Sequence, residues 1–359
     1  MSRLAKLVNA VKESNLDALL LTGEENIHYA THFPALEGMV LILKSGEAVC
    51  FTDSRYIESA TNVMAPQGYR VVEPEGSYPT PGTIRDFVAQ RGIRTLGYEN
   101  CTMTVKDYHT YRAVLPCELL PFDDGVEALR QIKEDEEIAW IAEAQRIAEA
   151  ALEKLLPDIR PGAYEDELAA KLEYHMTMMG SNRPCMGMVL VSGAKTSMPH
   201  GVASHRAIEA GDFVTIDYGA NIRGYLSDMT RTFAVGYATE KMREVYEIVL
   251  EAQQAGIDAF AAGRTGIEVD WAARSVIEKA GYGPCFGHGL GHSLGLNIHE
   301  NPRANRTYQG RFVERNVITV EPGIYIPGEF GVRIEDMVYL SPEGKVNLTR
   351  FPKELTVLG

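Results

Sequence analysis

The segment from Val214 to Gly236, VTIDYGANIRGYLSDMTRTFAVG, constrains the fold of this chain more than any other. It predicts two strands joined by a glycine-flanked turn, and each strand carries one aspartate, Asp217 and Asp228. An unpaired charge is very costly to bury, so carboxylates that face each other across a hairpin need a compensating charge. The hairpin therefore predicts a bound cation.

A second segment, Asn316 to Leu340, repeats the plan of the first. An apolar strand ends at Glu321, a connection rich in Gly and Pro follows, and a return strand carries Glu335. Two such hairpins indicate two related halves that contribute two carboxylates each. Four carboxylates balance two divalent cations, and metal ions about 3.5–4 Å apart can activate a water for hydrolysis.

Histidines that could complete such a site cluster in Cys285 to Pro302, CFGHGLGHSLGLNIHENP. Three of the nine histidines in the chain, His288, His292 and His299, lie in this segment, which favours a ligand role over a structural one. A helical HxxxH zinc site is disfavoured, because two of the three residues between the first two histidines are glycines and HExxH is absent. His200 in SGAKTSMPHG is a fourth candidate. Oxygen-rich ligation with one imidazole favours Mn²⁺, with Co²⁺ or Zn²⁺ as alternatives.

Each acidic residue also has a simpler interpretation. Asp217 alone is typical of a turn or a helix cap. Asp228 could form an ion pair with Arg231, and Glu335 could form one with Arg333. Each interpretation is reasonable for one residue, but all of them would have to hold together to replace the metal site.

Composition indicates a soluble protein of two domains. The chain has 359 residues, of which 45% are hydrophobic and 23% charged, and its formal net charge is -14. This acidity argues against nucleic acid or an anionic membrane as partner. The five cysteines are scattered and form no CxxC pair, which indicates reduced thiols. With neither a signal peptide nor a membrane span predicted, we expect a cytoplasmic location.

Secondary-structure signals divide the chain near residue 125. Residues 1–125 alternate helix and strand signals and predict a small α/β domain without a phosphate-binding glycine motif. Residues 126–359 predict an α+β domain with an antiparallel sheet, including a strand that starts at Met186. Its helices are predicted from Asp135 to the prolines at 157 and 161, and over 165–179, 240–261 and 266–280.

The motifs around the candidate residues resemble those of the pita-bread metallopeptidases. PHG, IDYGA, GYLSDMTRT, FGHGLGH, GLNIHE, TVEPGIY and GVRIED are similar to the Xaa-Pro branch, which comprises proline dipeptidase (prolidase) and aminopeptidase P. The resemblance covers the whole chain. It implies an α+β pita-bread catalytic domain, with a pseudo-twofold antiparallel sheet and flanking helices, over residues 126–359. A creatinase-type N-terminal α/β domain would occupy residues 1–125.

The resemblance also implies a five-ligand site for two divalent metal ions. Asp228 and Glu335 would bridge both ions. Asp217 would complete one ion, and His292 and Glu321 the other. A metal-bridging hydroxide would be the nucleophile, and Glu321 would accept a proton from the bridging water.

Further positions match other active-site residues of that family. His200 and His299 match histidines that orient the substrate and stabilise the tetrahedral intermediate. His288 matches another active-site histidine, and Arg333 matches an arginine held against the metal-site carboxylates. Departures from the family pattern are Asn316, where a glycine is usual, together with Lys195 and Met198 before PHG. None is a ligand, so they bear on specificity rather than activity.

The implied activity is hydrolysis of the Xaa-Pro bond in proline-containing peptides. The nitrogen of this bond carries no hydrogen that a protease could hold by a hydrogen bond, and hydrolysis at a dimetal centre does not require that hydrogen bond. We favour a dipeptidase, with an aminopeptidase P acting on longer peptides as the alternative. Creatinase uses this fold without metal, and the retained ligands argue against it. A catalytically inactive pita-bread binding protein is disfavoured because such proteins lose ligands and carry charged extensions. Methionine aminopeptidases lack the upstream domain.

The segment NIHYATHF, residues 26–33, carries two further histidines, His28 and His32. We predict a surface loop here. The alternative comes from related homodimers, in which the corresponding region reaches the active site of the neighbouring subunit.

Overall fold

Two units make up the chain, Met1–Arg130 and Gln131–Gly359. The computed structural model describes residues 1–34, 36–75, 78–182 and 187–359. The first unit includes the short helix Gly125–Arg130, most of which lies beyond the domain boundary that the sequence predicts at residue 125. Within the described residues, no helix combines the length and apolar character needed to cross a membrane.

The first unit is organised by a six-stranded mixed sheet in the order β4-β3-β2-β1-β5-β6. The pairs β1/β2 and β2/β3 are antiparallel, and the other neighbouring strands are parallel. The strands are β1 (Ala18–Leu21), β2 (Gly38–Leu43), β3 (Ala48–Thr52), β4 (Tyr69–Val72), β5 (Thr95–Tyr98) and β6 (Glu118–Pro121). The helices are α1 (Arg3–Glu13), α2 (Glu24–Thr31), α3 (Ile57–Met64), α4 (Pro81–Gln90), α5 (Val105–Val114) and α6 (Gly125–Arg130).

Residues 26–31 lie in helix α2, so the predicted surface loop is wrong. Every residue from Asn26 to Thr31 is buried. Ile27 and Tyr29 are each 1% exposed, and the polar Asn26 and Thr31 are as deeply buried, at 1% and 0%. Burial, together with the positive charge of Arg3, lowers the pKa of His28 to about 4.

The second unit contains four longer helices that match the predicted ones. They are α7 (Asp135–Leu155), α8 (Glu165–Met178), α9 (Glu240–Ala259) and α10 (Gly266–Lys279). A capping box between Glu134 and Glu137 starts α7, and a 3₁₀ turn with Pro157 follows its end. Strand β7 (Val189–Ser192) occurs where a strand is predicted from Met186, a residue outside the described ones.

Two antiparallel hairpins of the same plan form the centre of the second unit. In the first, β8 (Phe213–Tyr218) pairs with β11 (Met229–Val235), and a small hairpin of β9 (Asn221–Ile222) and β10 (Tyr225–Leu226) lies between them. The histidine segment follows as β12 (Gly291–Ser293) and β13 (Glu300–Ala304). In the second hairpin, β14 (Val317–Val320) pairs with β17 (Asp336–Ser341) around β15 (Gly323–Ile326) and β16 (Phe330–Arg333). Strands β18 (Gly344–Asn347) and β19 (Val357–Leu358) extend the two sheets.

Each hairpin packs on its own pair of helices. Leu152 of α7 and Leu172 of α8 share a buried cluster with Ile216 of the first hairpin. Helices α9 and α10 share another cluster with the second hairpin, including Ile318, Val320 and Val338. Burying such apolar faces supplies most of the stability of the unit, at about 25 cal/mol per Å². The repeated strand plan thus extends to the helix layer and confirms the predicted α+β class.

Candidate metal centre

A cavity of about 390 Å³ lies over the two hairpins, a size usual for a small-ligand site. Every site residue predicted from the sequence lines it: His200, Asp217, Asp228, His288, His292, His299, Glu321, Arg333 and Glu335. Residues separated widely in the chain therefore converge on one place.

The two aspartates of the first hairpin reach the cavity from its two sides. Asp217 lies on β8, and its Oδ2 accepts a hydrogen bond from Nη2 of Arg333. Asp228 precedes β11 and is buried. Arg231, the alternative partner of Asp228, instead pairs with Asp336 at 2.8 Å and is 1% exposed. Asp228 is thus left facing the other carboxylates.

The two glutamates of the second hairpin are held by threonines. Thr230 donates from Oγ1 to Oε2 of Glu335 at 2.6 Å. Thr319 donates from Oγ1 to Oε1 of Glu321 at 3.1 Å and accepts the backbone N–H of His292. Each carboxylate keeps acceptor capacity on its other oxygen.

His292 lies on β12 and completes the acidic cluster. Its Nε2 is 3.2 Å from Oε1 of Glu321 and 3.8 Å from Oδ2 of Asp228. Gly291 is required beside it, because a Cβ there would lie 1.9 Å from the carbonyl oxygen of Thr319. His292 thus lies on an extended segment and not on a helix, in agreement with the prediction against a helical HxxxH zinc site.

Burial and mutual repulsion shift the pKa values of the cluster. Burial raises the pKa of Asp228 well above its ordinary value, and the charges of Glu335 and Asp217 add to this. The pKa of Glu335 is raised well above its ordinary value by burial and by Glu321 and Asp217. Burial also favours neutral Glu321, but the combined attraction of His292, His288 and Arg333 outweighs this and lowers its pKa to about 2. The cluster is thus short of positive charge at neutral pH.

The donor atoms fit divalent cations. Ligand atoms of Asp228, His292 and Glu335 all lie within 4.8 Å of one another. Oε1 of Glu335 is buried and has no hydrogen-bond partner among the described residues. Nδ1 of His292 lies 3.1 Å from the carbonyl oxygen of Ser293 and can only donate to it, so in the neutral ring, the form that binds a metal, Nε2 carries the lone pair. A backbone carbonyl on the opposite ring nitrogen is the usual support of a metal-ligating histidine.

A hydrogen-bonded chain links His288 to Arg333 through Tyr325. Nη1 of Arg333 donates to the Tyr325 hydroxyl at 2.8 Å, and that hydroxyl lies 2.9 Å from Nε2 of His288. Nδ1 of His288 donates to the carbonyl oxygen of Gly289 at 2.8 Å, so Nε2 accepts from Tyr325. Burial lowers the pKa of His288, which favours this neutral form.

A buried ion pair on α10 holds the glycine-rich segment that carries His288. Arg274 and Asp270 pair at 2.6 Å and are each 2% exposed. Arg274 donates to the carbonyl oxygen of His288 at 2.7 Å, and Asp270 accepts the N–H of Leu290 at 3.0 Å. These contacts, together with the fully buried side chains of Phe286 and Leu290, fix the path of the segment.

His200 and His299 lie at the side of the cavity. The ring of His299 packs edge-on against His292, with 4.4 Å between ring centroids. Burial and the nearby His292 lower the pKa of His299. His200 is exposed and belongs to the loop after β7. Both imidazoles can therefore contact a ligand that enters the cavity.

Comparison with known proteins decides the family. Residues 139–342 match the model of metallopeptidase family M24, and residues 3–132 match the creatinase/prolidase N-terminal domain.

The chain belongs to metallopeptidase family M24.

Relatives of this M24 protein match it along its whole length. The structure of an Xaa-Pro dipeptidase from Bacillus anthracis is 42% identical, with a TM-score of 0.95 and 99% of each chain covered. The Xaa-Pro dipeptidase of Pyrococcus furiosus is 38% identical over 98% of this chain and 99% of its own. The X-Pro aminopeptidase structure from Thermotoga maritima is 32% identical, with a TM-score of 0.90 over 98% of this chain and 100% of its own. These likenesses confirm the creatinase-type and pita-bread domains expected from the motifs.

Several residues of the M24 site are missing from the sequence prediction. Thr230 and Thr319 lie two residues from Asp228 and Glu321, so the period of a strand could have placed them on the site face. Arg303 also lines the cavity, because β13 pairs it with His292, and no local pattern marks that pairing.

Proposed function

We propose that this chain is a dimetal exopeptidase that hydrolyses the Xaa-Pro bond of dipeptides. The observation that carries the proposal is the convergence of Asp228, His292 and Glu335, whose ligand atoms lie within 4.8 Å of one another on a cavity wall. Membership of family M24, and full-length relatives named Xaa-Pro dipeptidase, support it.

In this proposal five residues would hold two divalent ions. Asp228 and Glu335 would be shared by both ions, Asp217 would bind one, and His292 and Glu321 would bind the other. When bound, the ions would supply Lewis acidity for the scissile carbonyl and would lower the pKa of the attacking water. An oxygen-rich set with one imidazole favours Mn²⁺, while Co²⁺ and Zn²⁺ remain compatible with it.

The other residues bind the substrate and move its protons. Glu321, steadied by Thr319, takes the proton of the attacking water and delivers it to the leaving proline nitrogen. His200 and His299 donate to the oxygen of the scissile carbonyl, where negative charge develops. His288 and Arg333, joined through Tyr325, hold Asp217 in place.

Arg303 favours a dipeptide over a longer peptide. It is exposed, lines the cavity and lies opposite His292 in the β12/β13 pairing. A dipeptide presents a carboxylate one residue beyond the scissile bond, and a guanidinium can bind it through two hydrogen bonds. An aminopeptidase P substrate has an amide at that position. The relative from Thermotoga maritima named X-Pro aminopeptidase keeps that activity as the second candidate.

We further propose a cytoplasmic homodimer that acts on proline-containing peptides and binds neither nucleic acid nor membrane. The net charge of -14 supports the exclusion of anionic partners, and the scattered cysteines support a reducing compartment. The dimer rests on the resemblance to dimeric members of the Xaa-Pro branch.

Peptide cleavage by metal-stripped protein tests the function. The protein is supplied with Mn²⁺, Co²⁺ or Zn²⁺ and given either an Xaa-Pro dipeptide or an Xaa-Pro-Yaa tripeptide. We expect cleavage of the dipeptide, fastest with Mn²⁺. Cleavage of neither peptide with any ion refutes the peptidase, whereas cleavage of the tripeptide alone establishes the aminopeptidase instead.

A further inference from the structure

One buried carboxylate closes the loop that carries His200. Glu165 is the first residue of α8 and is fully buried. Its Oε1 accepts from the N–H and the hydroxyl of Ser192, at 2.8 and 2.7 Å. Its Oε2 accepts from the N–H and the hydroxyl of Ser204, both at 3.0 Å. The two ends of the loop 192–204 are thus tied to the same side chain.

Lys195 crosses this loop from the segment before His200 to the segment after it. Its Nζ donates to Oε2 of Glu165 at 2.6 Å, to the carbonyl oxygen of Val202 at 2.8 Å and to Ser204 Oγ at 2.9 Å. All three protons of the ammonium group are therefore used. Burial alone would raise the pKa of Glu165, but the bonds from Lys195 and the two serines lower it.

The side and tip of the loop rest on β16, the strand that carries Arg333. Gly331 donates its N–H to Thr196 Oγ1 at 2.8 Å, and a Cβ on that glycine would lie 2.2 Å from the carbonyl oxygen of Thr196. The carbonyl oxygen of Pro199 lies 3.5 Å from Nη1 of Arg333. The contacts of the loop with β16 therefore depend on the backbone conformation of the loop.

The imidazole of His200 has no such support of its own. Within the part of the chain that the structure describes, its ring makes no hydrogen bond, and the residue is exposed. Its place in the cavity therefore depends on the loop backbone. An error of about 1 Å in the position of a group that contacts substrate can lower a rate about 100-fold.

We propose that Glu165 and Lys195 are positioning residues for His200. Their ion pair fixes the loop 192–204 so that His200 faces the scissile carbonyl. The inference rests on the proposed function, which assigns that contact to His200. The proposal also assigns a structural role to Lys195, which departs from the family pattern.

The test compares Lys195→Met with Lys195→Arg and with a matched control, Lys171→Met. Lys171 lies on α8, the helix that carries Glu165, and pairs with Asp158 at 3.3 Å, but both side chains are exposed and neither residue belongs to the loop. Hydrogen exchange read by mass spectrometry is measured first, without reference to activity. We expect faster exchange over residues 193–204 in Lys195→Met alone, with unchanged metal content. Lys195→Gln replaces Lys195→Met if the latter does not fold.

Kinetics then separate positioning from general stability. We expect kcat for an Xaa-Pro dipeptide to fall about 10-fold or more in Lys195→Met, and Lys195→Arg to recover most of it. In a His200→Ala background, Lys195→Met should change kcat no further, because both act through one group. Unchanged exchange in the loop, or independent effects of the two substitutions, overturns the proposal. If the wild-type protein cleaves no peptide, the proposed function fails while hydrogen exchange still decides whether Lys195 holds the loop.

Discussion

Thr230 of the first hairpin donates a hydrogen bond from Oγ1 to Oε2 of Glu335 in the second, 2.6 Å away. The N–H of Glu335 in turn donates to the carbonyl oxygen of Thr230 at 3.2 Å. Nε of Arg333 donates to the same Thr230 hydroxyl at 3.0 Å. This threonine therefore sets the orientation of a proposed bridging carboxylate and joins the two halves of the site.

Thr230→Val should weaken metal binding about 10- to 100-fold, the usual effect of removing a hydrogen bond from a metal ligand. The valine keeps the shape of the side chain but leaves Oε2 of Glu335 without its donor. Calorimetric titration of metal-stripped protein with Mn²⁺ measures the change. Thr215→Val is the matched control, since Thr215 shares the strand pair and its hydroxyl, among the described side chains, bonds only to that of Thr232, at 3.1 Å. Equal affinities for Thr230→Val and wild type would contradict the role of the hydroxyl.

Asp228→Asn should abolish peptide cleavage without unfolding the protein. Because burial and neighbouring carboxylates raise the pKa of Asp228, its charge destabilises the metal-free state, and the amide removes that repulsion. We expect the metal-free variant to melt at or above the temperature of the metal-free wild type. Added Mn²⁺ should raise Tm in the wild type and much less in the variant. Wild-type turnover in this variant would disprove a bridging role.

Arg303→Met should raise KM for an Xaa-Pro dipeptide about 10- to 100-fold, the cost of losing a charged hydrogen bond. The KM for an Xaa-Pro-Yaa tripeptide should change little, since it lacks a carboxylate at that position. Arg306→Met is the control, because Arg306 lies nearby in the chain but does not line the cavity. Equal effects on both peptides would remove the argument for dipeptide selection.

The buried His28 should make the protein less stable in acid. Its pKa falls from the ordinary 6.5 to about 4 on folding, so the unfolded chain binds more protons between these values. The free energy of unfolding therefore decreases as the pH falls from 6.5 to about 4, and His28 does not change it at higher pH. His28→Gln should reduce the slope by about 1.4 kcal/mol per pH unit. Urea unfolding of metal-free protein from pH 7 to pH 4 measures it, with exposed His109→Gln as a control that keeps the wild-type slope.

The hairpins and helices of the second unit are predictable because local patterns specify them. Asp228 and Glu335 each directly precede a strand with a mostly apolar sequence, and that arrangement can be recognised in the sequence. The position of β12 cannot be predicted in this way, since the glycine-rich segment around it has no apolar periodicity. The need for Gly291 is explained only by the neighbouring carbonyl oxygen of Thr319. The role of Glu165 cannot be predicted for a related reason. The loop that it holds begins at Ser192, 27 residues further along the chain, and no local pattern connects the two.

Helix α2 shows a different limit. The histidines and asparagine of residues 26–33 make the segment polar in composition, yet Asn26 is as deeply buried as Ile27 and Tyr29. Amphipathic patterns this short do not distinguish a buried helix from a loop.

The location of the carboxylates on two separate hairpins has a consequence for the lifetime of the protein. Tight binding of an ion requires that β8, β11, β14 and β17 have all come together. Bound metal therefore stabilises the native state and not the partly folded states that precede it. Stabilisation confined to the native state slows unfolding and leaves the folding rate unchanged. Metal supply should therefore set how long the folded chain resists degradation, as well as whether it works.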